Sequence, residues 1–471
     1  MTYQLTDYSI ARSAAGIHRP RTLASVRRPP YTSSSTVLAE VDLLALRQVI
    51  LNPLTGASMN QSSQMDAATT GHTTLTNTKV LVVSFLAWTL ANMDQAFFAY
   101  AIPGILEEFG LPLEAVGVIL TVSFLIASLL LLFTGYAADR FGRGPMLSMF
   151  LAASALLVGL QGVAGGVIML TLFRALGFGI SSGLSPITNA YVAENVKPRV
   201  RGLAMGVLQC GYPLGWFLAS MFAVPLLASY GWRVMCFAAF VVIPIAGLFY
   251  WLLRDVPEVK HVTVTLGETG GMKLLFAREH RRKSWASMVT YFAFGGAYAG
   301  SAFFFPTFFA EVRGYTPSEA ADLVGMSNGI GIVGYLLAAV VGEYVLTRRT
   351  VFVAWAIGGS LALAGLMWLS HSRTEDMIWY ASTAALFYGS LAVLPVLIAE
   401  IFPREVRASA LSVCASAPLS LGFAVFPLMV PLVVGAVGWQ MGFSLVICPL
   451  LLVSALAGLL LPNHPSGMGL K

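Results

Sequence analysis

The chain has 471 residues, of which 57% are hydrophobic and only 11% are charged. A soluble domain carries about 25% charged residues, so a soluble enzyme or binding domain is excluded as the class of the whole chain. The formal net charge of +6 does not indicate nucleic acid as a partner. The lysines and arginines lie in short gaps between long apolar runs, where a membrane explains them better.

Residues 1–78 are mostly polar and precede the first long apolar run. Arginine-rich starts with few acidic residues occur in organellar transit peptides, but here we favour a disordered extension or a true start at Met59 or Met65. No short uncharged apolar core precedes the first run, so we predict no cleavable signal peptide.

Twelve apolar runs follow, and a helix of about 20 such residues crosses the hydrocarbon core of a bilayer. Because backbone polar groups in lipid must be satisfied internally, the runs predict an all-α integral membrane protein. We number them spans 1 to 12, at 80–103, 115–136, 145–164, 167–192, 203–227, 234–253, 286–310, 323–342, 351–370, 378–399, 408–434 and 441–461.

A charged linker at 254–285 divides the spans into six plus six. We therefore predict an N-terminal six-helix bundle at 79–253, a C-terminal six-helix bundle at 286–461 and a short cytoplasmic tail at 462–471.

Lysines and arginines are distributed unevenly between the two sides of the spans. The gaps after even-numbered spans and the C-terminal tail hold 17 of them, whereas the opposite gaps hold only Arg233, Arg313 and Arg373. Short loops rich in Lys and Arg stay in the cytoplasm. We therefore predict a plasma-membrane protein with both termini cytoplasmic.

The two halves of the chain repeat one another. Several features recur in the same order at offsets between 203 and 208 residues, among them Pro103 with Pro306, Gly135 with Gly342, Glu194 and Arg201 with Glu400 and Arg407, and Gly231-Trp232 with Gly438-Trp439. Paired repeats with a site near the bilayer midplane are typical of secondary transporters. A channel built from a duplicated chain is the competing interpretation.

Two loop motifs carry a family resemblance. Residues 135–144 read Gly-Tyr-Ala-Ala-Asp-Arg-Phe-Gly-Arg-Gly between spans 2 and 3, and residues 400–404 read Glu-Ile-Phe-Pro-Arg after span 10. Together with Arg174 in span 4, these motifs resemble those of the major facilitator superfamily. The resemblance covers about residues 80–461. The resemblance implies twelve transmembrane helices in two six-helix repeats, alternating access, and spans 1 and 4 lining a central cavity; it favours a transporter over a channel.

Within that superfamily the chain most resembles the organic-acid/proton symporters, including the aromatic acid and metabolite groups. These carry an Asp in span 1, which Asp94 matches, and a Glu-x-Phe-Pro…Arg loop after span 10. Residues 91–94 read Ala-Asn-Met-Asp instead of the usual Asp-Gly-x-Asp, and Gly144 stands where a basic residue is common. The resemblance implies proton-coupled uptake of a small organic anion, such as an aromatic or aliphatic carboxylate.

Two alternatives stay open. A drug or metabolite/proton antiporter usually carries Gly-Pro-x-x-Gly-Gly in span 5, and residues 211–216 are a broken version, Gly-Tyr-Pro-Leu-Gly-Trp. A non-transporting sensor on the same fold is expected to lose Asp94 or the charged loop, and this chain has both.

Asp94 and Arg174 are the only charged residues deep within the predicted spans. Such charges are rare and mark ion or substrate pathways. At about 1.5 Å per residue, the two lie at nearly the same depth. We expect a pair that couples protons when it separates, with Arg174 also binding a substrate carboxylate in a bidentate fork. The alternative is a permanent salt bridge that ties two helices together.

Polar side chains near the middle of other spans are further substrate-binding candidates. Serines below Arg174 share its helical stripe but also suit close helix packing, and tyrosines in mid-span need a hydrogen-bond partner. The candidates are Ser181, Ser185, Gln209, Tyr298, Asn328 and Tyr388.

Charged residues at the cytoplasmic ends of the spans form a predicted gate, since exposed ion pairs are weak and reversible. Topology signalling by the arginines is the alternative interpretation. The gate residues are Gly135, Asp139, Arg140, Gly142, Arg143, Glu194, Arg201, Glu343, Glu400, Arg404 and Arg407.

The sequence has no nucleotide-binding glycine loop, metal-ligand spacing or nucleophile elbow. We therefore predict a non-enzymatic protein without cofactor or metal. The expected partners are a small-molecule substrate, protons and the lipid bilayer, with no nucleic acid, and the expected state is a monomer.

Overall fold

The computed structural model describes residues 61–196, 201–256 and 274–463. Most of the predicted N-terminal extension, of the linker 254–285 and of the tail therefore lies outside the described residues. The side chains of residues 61–76 are also outside this description, as are Gly135, Asp139, Arg201 and Arg404 beyond their helical backbone.

The N-terminal half contains six spans, some of which consist of consecutive helical pieces. Span 1 begins earlier than predicted, so residues 61–78 are helical. The bounds of the first four spans are Gln61–Phe109 for span 1, Leu113–Phe141 for span 2, Arg143–Gln161 for span 3, and Val167–Ser182 with Leu184–Asn195 for span 4. Span 5 consists of Arg201–Gln209 and the first part of Gly211–Phe237. Span 6 consists of the end of that helix, the 3-10 turn Ala238–Val241 and the helix Val242–Leu253.

The C-terminal half has the same plan. Spans 8, 9 and 12 are continuous helices at Pro317–Tyr344, Arg348–Trp368 and Trp439–Leu459. The other three are interrupted: Arg281–Ala302 with Phe305–Arg313 for span 7, Arg373–Leu386 with the 3-10 turn Tyr388–Ala392 and Leu394–Ile401 for span 10, and Arg404–Ala410 with the π-helical turn Leu411–Ser416 and Ala417–Val437 for span 11.

Gly231 separates spans 5 and 6. The apolar stretch Ala204–Leu253 has 50 residues and would be about 75 Å long as one helix, more than twice the ~30 Å hydrocarbon core. Gly231 interrupts it with φ 77° and ψ 179°, a conformation that glycine adopts readily. The described chain has ten helices long and apolar enough to span a membrane, or eleven with the bent pair of span 7. That count treats Ala204–Leu253 as one helix, so dividing it at Gly231 gives the twelve predicted spans.

The sequence repeat appears as a repeated corner in the two halves. Gly438 before span 12, with φ 81° and ψ 168°, has the conformation of the glycine before span 6. The indole of Trp232 donates a hydrogen bond to Glu108 (Nε1–Oε2 2.7 Å), and that of Trp439 donates to Glu311 (2.9 Å). The first bond joins spans 6 and 1, and the second joins spans 12 and 7, so equivalent bonds hold equivalent helices.

The two halves meet where span 2 packs on span 11 and span 5 packs on span 8. The Thr121 hydroxyl donates to the Ala424 carbonyl (2.8 Å), and the Ser318 hydroxyl donates to the Val224 carbonyl (3.0 Å). At Gly325 a Cβ would lie 1.9 Å from a serine hydroxyl of span 5, so the backbones approach as closely as small residues allow. These contacts lie in the half of the bundle that the charge distribution predicts to be external.

Candidate functional site

Spans 1 and 4 place the two charged candidates in the interior of the bundle. Asp94 and Arg174 are each 1% exposed. Span 4 consists of two helical pieces that meet at Gly183, nine residues after Arg174, and Gly183 itself keeps helical dihedral angles (φ −64°, ψ −19°).

Asp94 is held by a single serine of span 3. The Ser154 hydroxyl lies 3.2 Å from Asp94 Oδ2 and 3.0 Å from the Leu151 carbonyl oxygen. Because a hydroxyl has one proton to donate, it bonds one acceptor at a time. Asp94 Oδ1 has no hydrogen-bond partner among the described residues, so this carboxylate is left with unused acceptor capacity. Nothing in the sequence pattern singles out Ser154.

Arg174 lies among aromatic rings. Its guanidinium carbon is 4.3 Å from the ring centroid of Phe98, 4.9 Å from that of Phe178 and 5.6 Å from that of Phe303. Cation–π contacts of this geometry stabilise a desolvated cation, but they leave its N–H groups free. Nε and Nη2 have no hydrogen-bond partner in the described part of the chain. The guanidinium is thus a buried, charged donor without an acceptor.

Asp94 and Arg174 form no ion pair within 4 Å; all ion pairs found among the described residues join other groups. The expected direct pair is therefore absent in this conformation, because the arginine stacks on phenylalanines and the carboxylate accepts from Ser154. A permanent salt bridge between spans 1 and 4 is not what holds these helices together here.

The serine and amide candidates are mostly occupied by backbone contacts. The Ser181 hydroxyl donates to the Ala91 carbonyl across spans 4 and 1 (3.2 Å), and the Asn328 amide donates to Val324 in its own helix (2.8 Å). Ser185 accepts from an amide one turn on (3.3 Å), and Gln209 is half-buried near the end of its helix. These contacts fit helix packing at Ser181 and hydrogen bonding within a single helix at Ser185 and Asn328.

Tyr298 and Tyr388 lie together in the C-terminal half, with ring centroids 5.4 Å apart. Tyr388 opens the 3-10 turn that interrupts span 10. Two tyrosines that the sequence analysis did not select lie near them: Tyr335 in span 8 and Tyr380 in span 10. Tyr380 precedes Tyr388 by eight residues in the same span, whereas Tyr335 lies on a span without a selected tyrosine, and their convergence depends on how spans 7, 8 and 10 pack.

At the ends of the spans that the charge distribution predicts to be cytoplasmic, each half contains an arginine that binds a glutamate. In the N-terminal half, Arg143 binds Glu194 (Nη2–Oε1 2.5 Å). In the C-terminal half, Arg348 binds both Glu400 and Glu343. The sequence analysis missed Arg348, although it lies 205 residues after Arg143, within the offsets of the repeat.

The remaining gate candidates are spread over the same surface. Gly142 links spans 2 and 3 with φ 91°, Arg140 is exposed beside the Phe141 ring, and Arg407 donates to the Phe402 carbonyl (3.5 Å). The ion pairs described among these residues are Arg143 with Glu194 in one half and Arg348 with Glu400 and Glu343 in the other.

The profile of the Major Facilitator Superfamily matches residues 83–396. The cis,cis-muconate transport protein of Acinetobacter baylyi is 26% identical, over 72% of this chain and 86% of its own. The gallate transporter of Pseudomonas putida is 23% identical, over 70% of this chain and 81% of its own.

Among solved structures, a bacterial homolog of the human lysosomal transporter Spinster, in an inward-facing and unoccupied conformation, superimposes with a TM-score of 0.63. It shares 18% identity and covers 82% of this chain and 95% of the other. At that identity the likeness concerns the fold.

Proposed function

The chain belongs to the major facilitator superfamily and is a multi-pass membrane transporter, and we propose that it takes up a small organic anion together with protons. The family and the relatives above are transporters, as predicted, and not enzymes. Muconate and gallate, which give those relatives their names, are both carboxylates. The proposed substrate class is therefore an aromatic or unsaturated aliphatic carboxylate.

The observation that carries the proposal is the unpartnered guanidinium of Arg174. A buried cation whose N–H groups lack acceptors is costly, and a carboxylate offers two oxygens at the spacing of the guanidinium fork. Aromatic rings around the guanidinium match the flat, apolar body of a conjugated acid. A cationic drug would meet a like charge here, so uptake of an anion ranks above drug efflux.

Asp94 is the proposed proton carrier. Ser154 bonds the ionised carboxylate when Asp94 is deprotonated, and it can return its hydrogen bond to the Leu151 carbonyl when Asp94 takes up a proton. The Ser154 hydroxyl therefore has a hydrogen-bond acceptor both when Asp94 is ionised and when Asp94 is protonated. Arg174 lies close enough to interact electrostatically with Asp94, so binding of a carboxylate at the arginine changes the field at the proton site.

The remaining parts of the proposal concern the membrane and the gate. We place the protein in the plasma membrane as a monomer with both termini cytoplasmic, since the basic loops lie on one side. The pairs of Arg143 and Arg348 at the cytoplasmic ends are the proposed gate, which opens and closes as the two six-helix halves rock.

The test is uptake of radiolabelled carboxylates into proteoliposomes under an inward proton gradient, with protein-free liposomes as the blank. The panel contains benzoate, gallate, nicotinate and cis,cis-muconate. Gradient-driven uptake of at least one acid, abolished by a protonophore, is the expected result. Failure to transport any carboxylate, together with proton-driven efflux of cationic compounds, would favour the antiporter instead.

A further inference from the structure

Four tyrosine hydroxyls in the C-terminal half are buried without a hydrogen bond of normal geometry, although those of Tyr380 and Tyr388 lie close to each other. Tyr298, Tyr335, Tyr380 and Tyr388 are between 0% and 4% exposed, and none of their hydroxyl oxygens has a hydrogen-bond partner in the described part of the chain. Buried tyrosine hydroxyls normally find a partner. Leaving one unsatisfied destabilises the folded protein, and here four such groups lie in one region.

The four hydroxyls come from three different spans that meet at a helix break. Tyr298 lies on span 7, Tyr335 on span 8, and Tyr380 and Tyr388 lie on either side of the interruption at residue 387 in span 10. Tyr335 lies near both Tyr298 and Tyr388, and Tyr380 lies near Tyr388. An interrupted helix beside converging polar groups is the usual construction of a transporter binding site.

A continuous aromatic surface connects this cluster to Arg174. Tyr298 stacks on Phe423 (centroids 5.5 Å apart), Phe423 contacts Phe124 (5.1 Å), and Phe124 contacts Phe303 (5.8 Å). The Phe303 ring is one of those facing the Arg174 guanidinium. Polar donors therefore occur at both ends of an apolar strip that crosses the boundary between the two halves.

We propose that the tyrosine cluster, formed by Tyr298, Tyr335, Tyr380 and Tyr388, is a second substrate subsite. It binds an oxygen-bearing group at the end of the substrate opposite the carboxylate that Arg174 holds. The substrate class is thereby narrowed to conjugated acids with a second acceptor, such as a dicarboxylate. This inference rests on the proposed function, because it assumes that Arg174 binds a carboxylate.

The chemistry of the two ends explains why a monocarboxylate is a poorer substrate. A methyl group or bare ring edge in the tyrosine cluster leaves the hydroxyls unpaired, whereas a carboxylate accepts several hydrogen bonds at once. Sites built to bond a polar group reject analogues that lack it by large factors, because the protein groups are then left without partners. We expect at least tenfold selectivity for the substrate with two polar ends.

The experiment compares matched pairs of labelled acids in proteoliposomes. trans,trans-Muconate is compared with sorbate, the same diene with a methyl group in place of one carboxylate, and terephthalate is compared with benzoate. The variants are Tyr298→Phe, Tyr388→Phe and the double variant, which remove hydroxyls and keep the rings. Tyr291→Phe is the control, since it removes a buried hydroxyl from span 7 outside the tyrosine cluster.

The expected result is wild-type preference for the acid with two polar ends, reduced about tenfold or more in the double variant, with uptake of the monocarboxylate retained. The control variant keeps the wild-type preference. Equal wild-type uptake within both pairs, or a parallel loss of both acids in the tyrosine variants, overturns the subsite and leaves the organic-anion transporter in place. Uptake of none of these four acids overturns the subsite, and the organic-anion proposal falls with it only when gallate, nicotinate and cis,cis-muconate are not taken up either.

Discussion

Among single residues, Arg174 has the most specific chemistry. Its guanidinium lies over Phe98, Phe178 and Phe303 and keeps Nε and Nη2 without acceptors. A lysine ammonium is a compact charge without a planar fork, and it does not stack on rings in the same way. The positive charge alone is therefore not sufficient for the role proposed here.

Replacing Arg174 with lysine is expected to raise the apparent KM for the carboxylate about tenfold or more, which corresponds to ~1.4 kcal/mol of lost binding. Loss of the bidentate bond and of ring stacking is the physical reason. The measurement is the concentration dependence of uptake.

Arg233→Lys is the matched control, because this arginine also makes a two-pronged contact, with Glu108 at the external surface. Its KM is expected to stay at the wild-type value. An unchanged KM in Arg174→Lys would show that the arginine does not bind the substrate carboxylate.

The sequence identifies Asp94 and Arg174 because charge within an apolar run is conspicuous. It does not identify their contacts, since these depend on the rotation of each helix about its axis. Ser154 is one of two serines in span 3, and only packing brings it to Asp94. The same limit explains why Tyr335 and Tyr380 were not grouped with Tyr298 and Tyr388.

Among the elements, the end of the C-terminal half that is predicted to be external is held together by one buried carboxylate. Asp376, 1% exposed, accepts from Arg313 Nε (3.1 Å), the Tyr315 hydroxyl (2.7 Å) and the Ser370 hydroxyl (2.8 Å). Burial, with help from the nearby Asp376 carboxylate, raises the pKa of Tyr315 to about 12, so this hydroxyl remains a donor at neutral pH. The contacts join the ends of spans 7, 9 and 10.

Asp376→Ala is expected to cost about 3 kcal/mol of stability, because it leaves a half-buried guanidinium and two hydroxyls without their acceptor. The unfolding temperature in detergent can be followed with a thiol-reactive dye, because Cys210, Cys236 and Cys414 are buried until the protein unfolds.

Asp322→Ala serves as the comparison for Asp376→Ala. It removes an exposed pair with Arg373 (3.0 Å), and exposed pairs contribute little, so its unfolding temperature is expected to match that of the wild type. Equal unfolding temperatures for the two variants would contradict the structural role of Asp376.

The internal repeat made most of the arrangement of helices predictable from the sequence. The glycine–tryptophan corners before spans 6 and 12 were recognised, and the structure adds their glutamate partners. The sequence analysis matched only conspicuous motifs and therefore missed Arg348. Its equivalence to Arg143 follows from the same repeat offset. The sequence analysis did not predict the interruptions of spans 7 and 10, although Pro306 and Pro395 lie in the first turn of the helices that follow them.

In the whole molecule, hydrogen bonds and close backbone packing join the two halves on the side predicted to be external. The hydrogen bonds from Thr121 and Ser318 cross the boundary there, and span 8 packs on span 5 through Gly325. Rocking of the halves requires these contacts to separate once per cycle. The structure thus corresponds to a state closed on that side.

A covalent link across this boundary is expected to stop transport. Val224→Cys combined with Ser318→Cys places thiols where the backbone of span 5 meets span 8. Oxidation is expected to abolish uptake, and a reductant should restore it.

The control links residues within one half, Thr347→Cys with Asn463→Cys, where the native side chains are 2.5 Å apart. This bond should leave uptake intact. Full activity of the oxidised Val224–Ser318 pair would contradict alternating access by separation at this boundary.

The measurement that tests the central claim most directly compares two transport modes in Asp94→Asn. One is accumulation of labelled substrate driven by a proton gradient, and the other is exchange of labelled for unlabelled substrate without a gradient. The account predicts that accumulation is lost while exchange persists, because asparagine cannot carry the proton but leaves Arg174 to bind the anion. Gradient-driven accumulation at the wild-type level in this variant would contradict the assignment of Asp94 as the proton carrier.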